Sequence, residues 1–456
     1  MARDASDATL IESRDQLVET ISSGSKPPSD WRVGTEHEKF GFYLDDFGPV
    51  PYEGPRGIRR LLEAMEGLLG WHPITDHDNI IGLADPVGHG AISLEPGGQF
   101  ELSGAPLATL HQTCREVNSH LIQVRECATP LGIGFLGLGA SPKWSLAQTP
   151  KMPKSRYGIM TGYMPKVGGH GLDMMYRTCT IQANLDFSDE ADMVLKMRVG
   201  LALQPVVTAL FANSPFVEGK PNGFLSWRSH VWLDTDKNRT GMLPFAFDEG
   251  FGFERYVDWA LDVPMYFVKR GDTYHDVSGA SFRKLMDGTL DELPGQRATL
   301  SDWNNHLSTI FPEVRLKNYL EMRGADGGPG RGICALPALW VGLLYDSVSL
   351  DAVWQIVKDW TVAEREALRL EVPRFSLKTP FRGGTVLDIA RTIVDLAQDG
   401  LQRRHILNDE NRDETIFLKA LREIVETGIT PAETLLEEFE TEWKGDINEV
   451  FRRHAY

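Results

Sequence analysis

The sequence predicts an α+β fold built on a mostly antiparallel sheet. Three observations predict it. Short alternating or apolar runs, bounded by glycine and proline, recur through the middle of the chain. The segments between them are not uniformly helical, so the strand–helix–strand rhythm of a parallel sheet is missing. From residue 386 onward the apolar spacing is almost wholly helical.

The elements follow in order. Leu10, Ile11, Leu17, Val18 and Ile21 stand at helical spacing, and residues 23–30, with Pro27-Pro28, read as a linker. Residues 1–29 are therefore expected to form an N-terminal helix and linker. Residues 30–456 are expected to form a single domain with a helical C-terminal part from about 386 to 456. Strands are expected at 32–42, 91–95, 99–103, 132–138, 178–187, 227–233, 265–269 and 315–323. Helices are expected at 57–69, 107–128, 191–212, 336–345, 350–370, 386–399, 414–427 and 431–444.

Composition narrows the function classes. The 456 residues are 42% hydrophobic and 24% charged, within the ordinary globular range. A net charge of −17 argues against non-specific binding to nucleic acid or to an anionic membrane. No apolar run is long enough for a membrane-crossing helix, and residues 1–14 lack the apolar stretch of a secretory signal. A cytoplasmic location is the expectation. Four cysteines without a Cys-x-x-Cys pair make neither a disulfide scaffold nor a zinc site.

Alternation along the strands gathers the polar chemistry. In the 32–42 strand, Glu36 and Glu38 point one way, and Val33, Thr35 and His37 the other. Two adjacent carboxylates repel unless a cation or a proton lies between them. The segment alone is compatible with a solvated strand face or with a cation site. The next strands add Gln99, Glu101 and Ser103, with Glu95 just before the Pro96-Gly97-Gly98 turn. They also add Thr178, Thr180, Gln182, Asn184 and Asp186 opposite a clean apolar face of Cys179, Ile181, Ala183, Leu185 and Phe187. Last come Arg315, Lys317, Tyr319, Glu321 and Arg323. Oxygen donors without clustered His or Cys suit a hard cation such as Mg²⁺. Interspersed Arg and Lys suit phosphate and carboxylate groups. A metal and cations on one face are what phosphoryl transfer from ATP to an anionic acceptor requires.

Other motifs fall away. No P-loop or Gly-x-Ser-x-Gly elbow is present. Gly132, Gly134 and Gly137 match a dinucleotide-binding pattern, but inside an apolar strand and with no helix following; the match is read as chance.

Six segments then resemble glutamate–cysteine ligase of the plant-type class, which occurs also in bacteria. They are Gly34-Thr35-Glu36-His37-Glu38-Lys39-Phe40-Gly41, residues 93–104 around Glu95-Pro96-Gly97-Gly98-Gln99, and residues 175–184. The others are Trp227-Arg228-Ser229-His230-Val231-Trp232, residues 319–326 around Glu321-Met322-Arg323, and residues 334–342. They run collinearly over roughly residues 30–345. The resemblance implies a glutamine synthetase-like fold, a curved antiparallel sheet forming a funnel and packed with helices. It implies that L-glutamate and L-cysteine are joined with ATP to γ-glutamylcysteine through a γ-glutamyl phosphate. By similarity, Glu36, Glu38, Glu95, Glu101, Gln182 and Glu321 would hold two or three Mg²⁺ ions. Arg156 and Arg228 would bind the substrate carboxylate, and Lys317, Arg323 and Asn184 would meet ATP. Trp232 and Tyr266 are loose candidates for the amine-acceptor pocket. Cys114 and Cys334 match a pair that forms a regulatory disulfide in the plant enzymes; two reduced, buried thiols are the alternative. The plant enzymes carry a further cysteine pair, absent here, and a transit peptide that this chain is expected to lack. A monomer or homodimer is expected, with redox dependence resting on that one pair. A carboxylate–amine ligase joining glutamate to a different amine would use the same carboxylates.

Overall fold

Strand β1 (Val33–Tyr43) runs through the middle of a nine-stranded sheet. The structure is a computed structural model that describes residues 7–456; residues 1–6 of the expected N-terminal segment lie outside them. The other strands are β2 (His72–Asp76), β3 (Asn79–Ala84), β4 (Ala91–Leu94), β5 (Phe100–Ser103), β6 (Ile133–Leu136) and β7 (Thr180–Leu185), followed by a hairpin of Val314–Leu316 and Leu320–Asp326. Their order is Val314–Leu316, Leu320–Asp326, β7, β1, β5, β4, β3, β2, with β6 on the second half of β1. Every pairing in this sheet is antiparallel.

Alternation sorts the two faces. Cys179, Ile181, Ala183, Leu185 and Phe187 are all fully buried, and most of them join the main apolar core. The helices Leu110–Ala128, Glu190–Leu210 and Gly330–Leu344 pack against the sheet strands and share that core. The Glu190–Leu210 helix is long and apolar enough to cross a membrane, but 83% of its apolar window is buried inside the molecule. The C-terminal helices belong to the same core. Val386–Arg404 crosses Gly330–Leu344 so closely that a Cβ on Gly400 would lie 2.0 Å from the Gly342 carbonyl oxygen. Glycine at both crossing points lets the backbones touch.

Several expected elements change. Residues 227–233 form a helix, Trp227–Trp232, not a strand. Aromatic and β-branched residues gave the strand signal, but the Ser226 side chain accepts the Ser229 N–H and caps a helical turn. Residues 315–323 form a hairpin rather than one strand, closed where the Lys317 N–H donates to the Tyr319 carbonyl. Its direct pairs Arg315–Glu321 and Leu316–Leu320 keep the expected faces. The expected 350–370 helix breaks into Ser347–Val357 and Val362–Phe375, because Thr361 and Glu364 form a capping box. Strands β2 and β3 were not expected. The glycines of the 132–137 motif serve packing: Gly134 lies against Phe42, and Gly137 against Tyr456.

Candidate active site

Register places the polar side chains in rows across one face. Glu36 on β1 pairs with Gln182 on β7 and Ser103 on β5, and Glu38 pairs with Glu101, which pairs with Ser93 on β4. Asn184 pairs with Glu321, and Glu321 with Arg315. Directly paired residues share a face, so the four expected strand segments meet on one surface.

The rows have two ends of opposite character. At one end stand Glu36, Glu38, Glu95 and Glu101. Glu36 is 7% and Glu101 3% exposed; Glu38 and Glu95 are partly exposed. The two Glu101 oxygens accept from the Ser93 and Ser103 hydroxyls. One Glu38 oxygen accepts from the Thr180 N–H at 3.0 Å, and the Asn184 amide donates to Glu36 at 2.9 Å. Burial, then the charges of Glu321 and Glu101, push the Glu36 carboxyl up. Burial, then Glu95 and Glu101, push Glu38 well above the carboxylate range, against Arg228 and the Thr180 N–H.

At the other end Glu321, wholly buried, meets three cations. Arg315 binds it with Nη2 at 2.6 and 2.8 Å and Nε at 3.1 Å, Lys317 lies at 3.1 Å, and Arg323 also contacts it. Burial pushes this carboxyl up, but Arg315, Lys317 and Arg323 hold it well below the usual range. Arg323 also donates to Gln182 at 2.6 Å. Glu321 was expected as a metal ligand; here both of its oxygens are occupied by cations. Gln182 is likewise engaged by Arg323.

Arg156 and Arg228, the arginines expected to bind substrate, flank the acidic end. The Arg156 guanidinium lies 5.4 Å from the Tyr157 ring centroid, and the Tyr157 hydroxyl reaches a Glu95 oxygen at 3.3 Å. Arg228 is 3% exposed, donates to the Arg323 carbonyl at 3.0 Å, and its buried Nε has no hydrogen-bond partner among the described residues. Such an unmet donor suits an anionic ligand. Arg228 and Trp232 line a small recess with Phe311, Glu313 and Arg323. Tyr266 does not stand in an open pocket. It is 1% exposed in an aromatic core cluster, under Arg239 at 3.7 Å from its ring centroid. Asn184 and Glu36 line a cavity of about 320 Å³ with Arg32, Ser103, Asp186 and Tyr319.

Cys114 and Cys334 are free and buried, on the packed helices Leu110–Ala128 and Gly330–Leu344. Burial and a hydrogen bond to Cys334 push the Cys114 thiol up. Sequence reasoning gave no role to Arg315, though alternation put it on the polar face, and it missed Lys154 and Tyr157, which carry no periodic signal.

Among the described residues no three His, Cys, Asp or Glu side chains stand together in metal-binding geometry. The acidic end still fits a hard cation by chemistry: oxygen donors, with Glu36 and Glu38 pushed up by burial and then by their carboxylate neighbours.

The sequence profile of glutamate-cysteine ligase family 2 matches residues 32–453. The chain belongs to that family. It is 59% identical over 443 residues to the chloroplastic glutamate–cysteine ligase of Nicotiana tabacum, covering 97% of this chain and 83% of the relative. It is 58% identical over 453 residues to the chloroplastic enzyme of Medicago truncatula, covering 99% and 87%. The fold is similar to the glutamate–cysteine ligase of Francisella tularensis in complex with AMP, at a TM-score of 0.53 and 13% identity, covering 94% of this chain and 88% of that one. The antiparallel sheet packed with helices is thus of the glutamine synthetase-like kind. The expected cytoplasmic location is corrected: these relatives are named as chloroplastic.

Proposed function

We infer that the chain, an ATP-dependent ligase by family, joins the γ-carboxylate of L-glutamate to the amine of L-cysteine. The observation that carries the residue-level reading is the opposed ends of one sheet face, carboxylates at Glu36, Glu38, Glu95 and Glu101 and cations at Lys317 and Arg323. In that reading the γ-carboxylate attacks the terminal phosphate of ATP and gives an acyl phosphate and ADP; the cysteine amine attacks the acyl carbon, and phosphate leaves.

Mg²⁺, held by Glu36, Glu38, Glu95 and Glu101, would screen the charge between the two anions. The protein's own groups do the rest. Lys317 and Arg323 bind the phosphates, exchanging part of their contact with Glu321 for the nucleotide. Arg315 remains with Glu321, because its Nη1 is committed to the Ser308 and Ile310 carbonyls. Arg156 and Arg228 hold the substrate α-carboxylate, where a planar fork fits and a lysine does not. The cavity beside Asn184 and Tyr319 takes the nucleoside part.

The test is ADP release with glutamate and a panel of amines. Turnover with cysteine above all other amines is the expected outcome, and no turnover with cysteine rejects the reading. The Cys114–Cys334 pair is proposed to close under oxidation. Thiol titration after mild oxidant should find two of the four thiols lost; four remaining thiols would exclude it.

A further inference from the structure

The segment 152–157 is fixed against the turn that carries Glu95. The Met152 N–H donates to the Pro96 carbonyl at 3.0 Å, and Asp76 accepts from both the N–H and the hydroxyl of Ser155, at 2.6 and 2.8 Å. The Ser155–Tyr163 helix thereby brings Tyr157, 4% exposed, beneath Glu95. Leu94, Glu95 and Lys154 converge on its hydroxyl, and Arg156 interacts with it too. It has one proton and two acceptors, the Leu94 carbonyl at 3.0 Å and Glu95 Oε1 at 3.3 Å, while Lys154 Nζ donates to it at 3.3 Å. The ring has cations near it as well, Lys154 Nζ at 5.0 Å and the Arg156 guanidinium at 5.4 Å from the centroid.

We propose that Tyr157 is a positioning residue whose hydroxyl, backed by Lys154, orients the Glu95 carboxylate and whose ring seats the Arg156 guanidinium, so that metal site and substrate clamp share one support. A hydrogen bond to a ligating carboxylate fixes its rotamer before the ion arrives. The ring attracts the guanidinium by cation–π interaction, and the hydroxyl interacts with Arg156 as well. The proposal rests on the reading of Glu95 as a metal ligand and Arg156 as a substrate arginine.

Removing the hydroxyl and removing the ring separate the two roles. In Tyr157→Phe, Mn²⁺ affinity without substrates should fall about tenfold, and KM for glutamate should stay within about twofold. Lys154→Met should weaken Mn²⁺ in the same direction by less. In Tyr157→Leu both Mn²⁺ affinity and KM for glutamate should worsen, each about tenfold. Tyr157→Met, a flexible filler of the same gap, replaces the Leu variant if that one does not fold. A merely structural role would shift melting temperatures without this split. If Glu95→Gln weakens Mn²⁺ but Tyr157→Phe does not, the relay is wrong and the metal reading stands. If Glu95→Gln binds Mn²⁺ as the parent does, Glu95 is no ligand and the relay falls with it. An unchanged glutamate KM in the ring-deleted variant overturns the seating of Arg156.

Discussion

Glu38 and Glu321 lie on the same face of one sheet, and burial pushes both carboxyls upward, yet they end in opposite states. Glu38, facing Glu95 and Glu101, is held well above the carboxylate range. Glu321, facing Arg315, Lys317 and Arg323, is held well below it. Residue type and depth do not decide the outcome; the neighbouring charges do. At one end carboxylates outweigh the nearby cation Arg228, and at the other three cations gather on a single carboxylate.

The comparison can be broken at each end. Glu38→Gln should lower turnover about a thousandfold, roughly 4 kcal/mol of barrier. Yet without metal it should raise the melting temperature by about 2 °C, because a part-buried carboxyl crowded by Glu95 and Glu101 is gone. Glu321→Gln should do the reverse to the fold, costing about 3–5 kcal/mol, since three buried cations lose their counter-charge. Thermal melts of both variants in chelator read the two signs, and two shifts in the same direction would remove the distinction. Lys317→Met should raise KM for ATP about tenfold and leave KM for glutamate alone, as steady-state kinetics would show.

A third glutamate sharpens the point with a smaller effect. Glu116 has neither a cation nest nor a carboxylate cluster; burial pushes its carboxyl from 4.5 up to about 7, though the Ala105 N–H holds it down. Its Oε2 is buried with no hydrogen-bond partner among the described residues, as suits a carboxyl that keeps its proton. The folded pKa is raised, so the folded state binds the proton more tightly. This stabilisation is fully present below about pH 4.5 and is lost as pH rises through about 7. Glu116→Gln should therefore flatten the decline of melting temperature across that window.

Strand alternation made the face legible. Glu36, Glu38, Glu101, Gln182 and Glu321 stand together as the period of two requires, even though the last lies on an unexpected hairpin. Position along the face was not legible, because which carboxylate meets an arginine depends on sheet order, and local pattern does not encode it. Arg315 was therefore given no role, and the three cations around Glu321 were not foreseen. Tyr157 was invisible for another reason: it acts from a helix packed beside the sheet, and one aromatic next to Arg156 carries no period. Residues 72–84 hid β2 and β3 because their turn is made by His77 and Asp78, with His77 at φ 50°, and no glycine or proline marks it.

The pairing of β1 has a consequence for how the protein becomes active. Its partners come from residues 100–103, 133–136 and 180–185, and the strand beyond β7 from residues 320–326. Loops of that span must close before Glu36 and Glu38 meet their neighbours, and such closures slow folding. On dilution from denaturant, helical signal should return first and ligase activity last. The late step is the one that forces like charges together, and a divalent ion present during refolding should speed it.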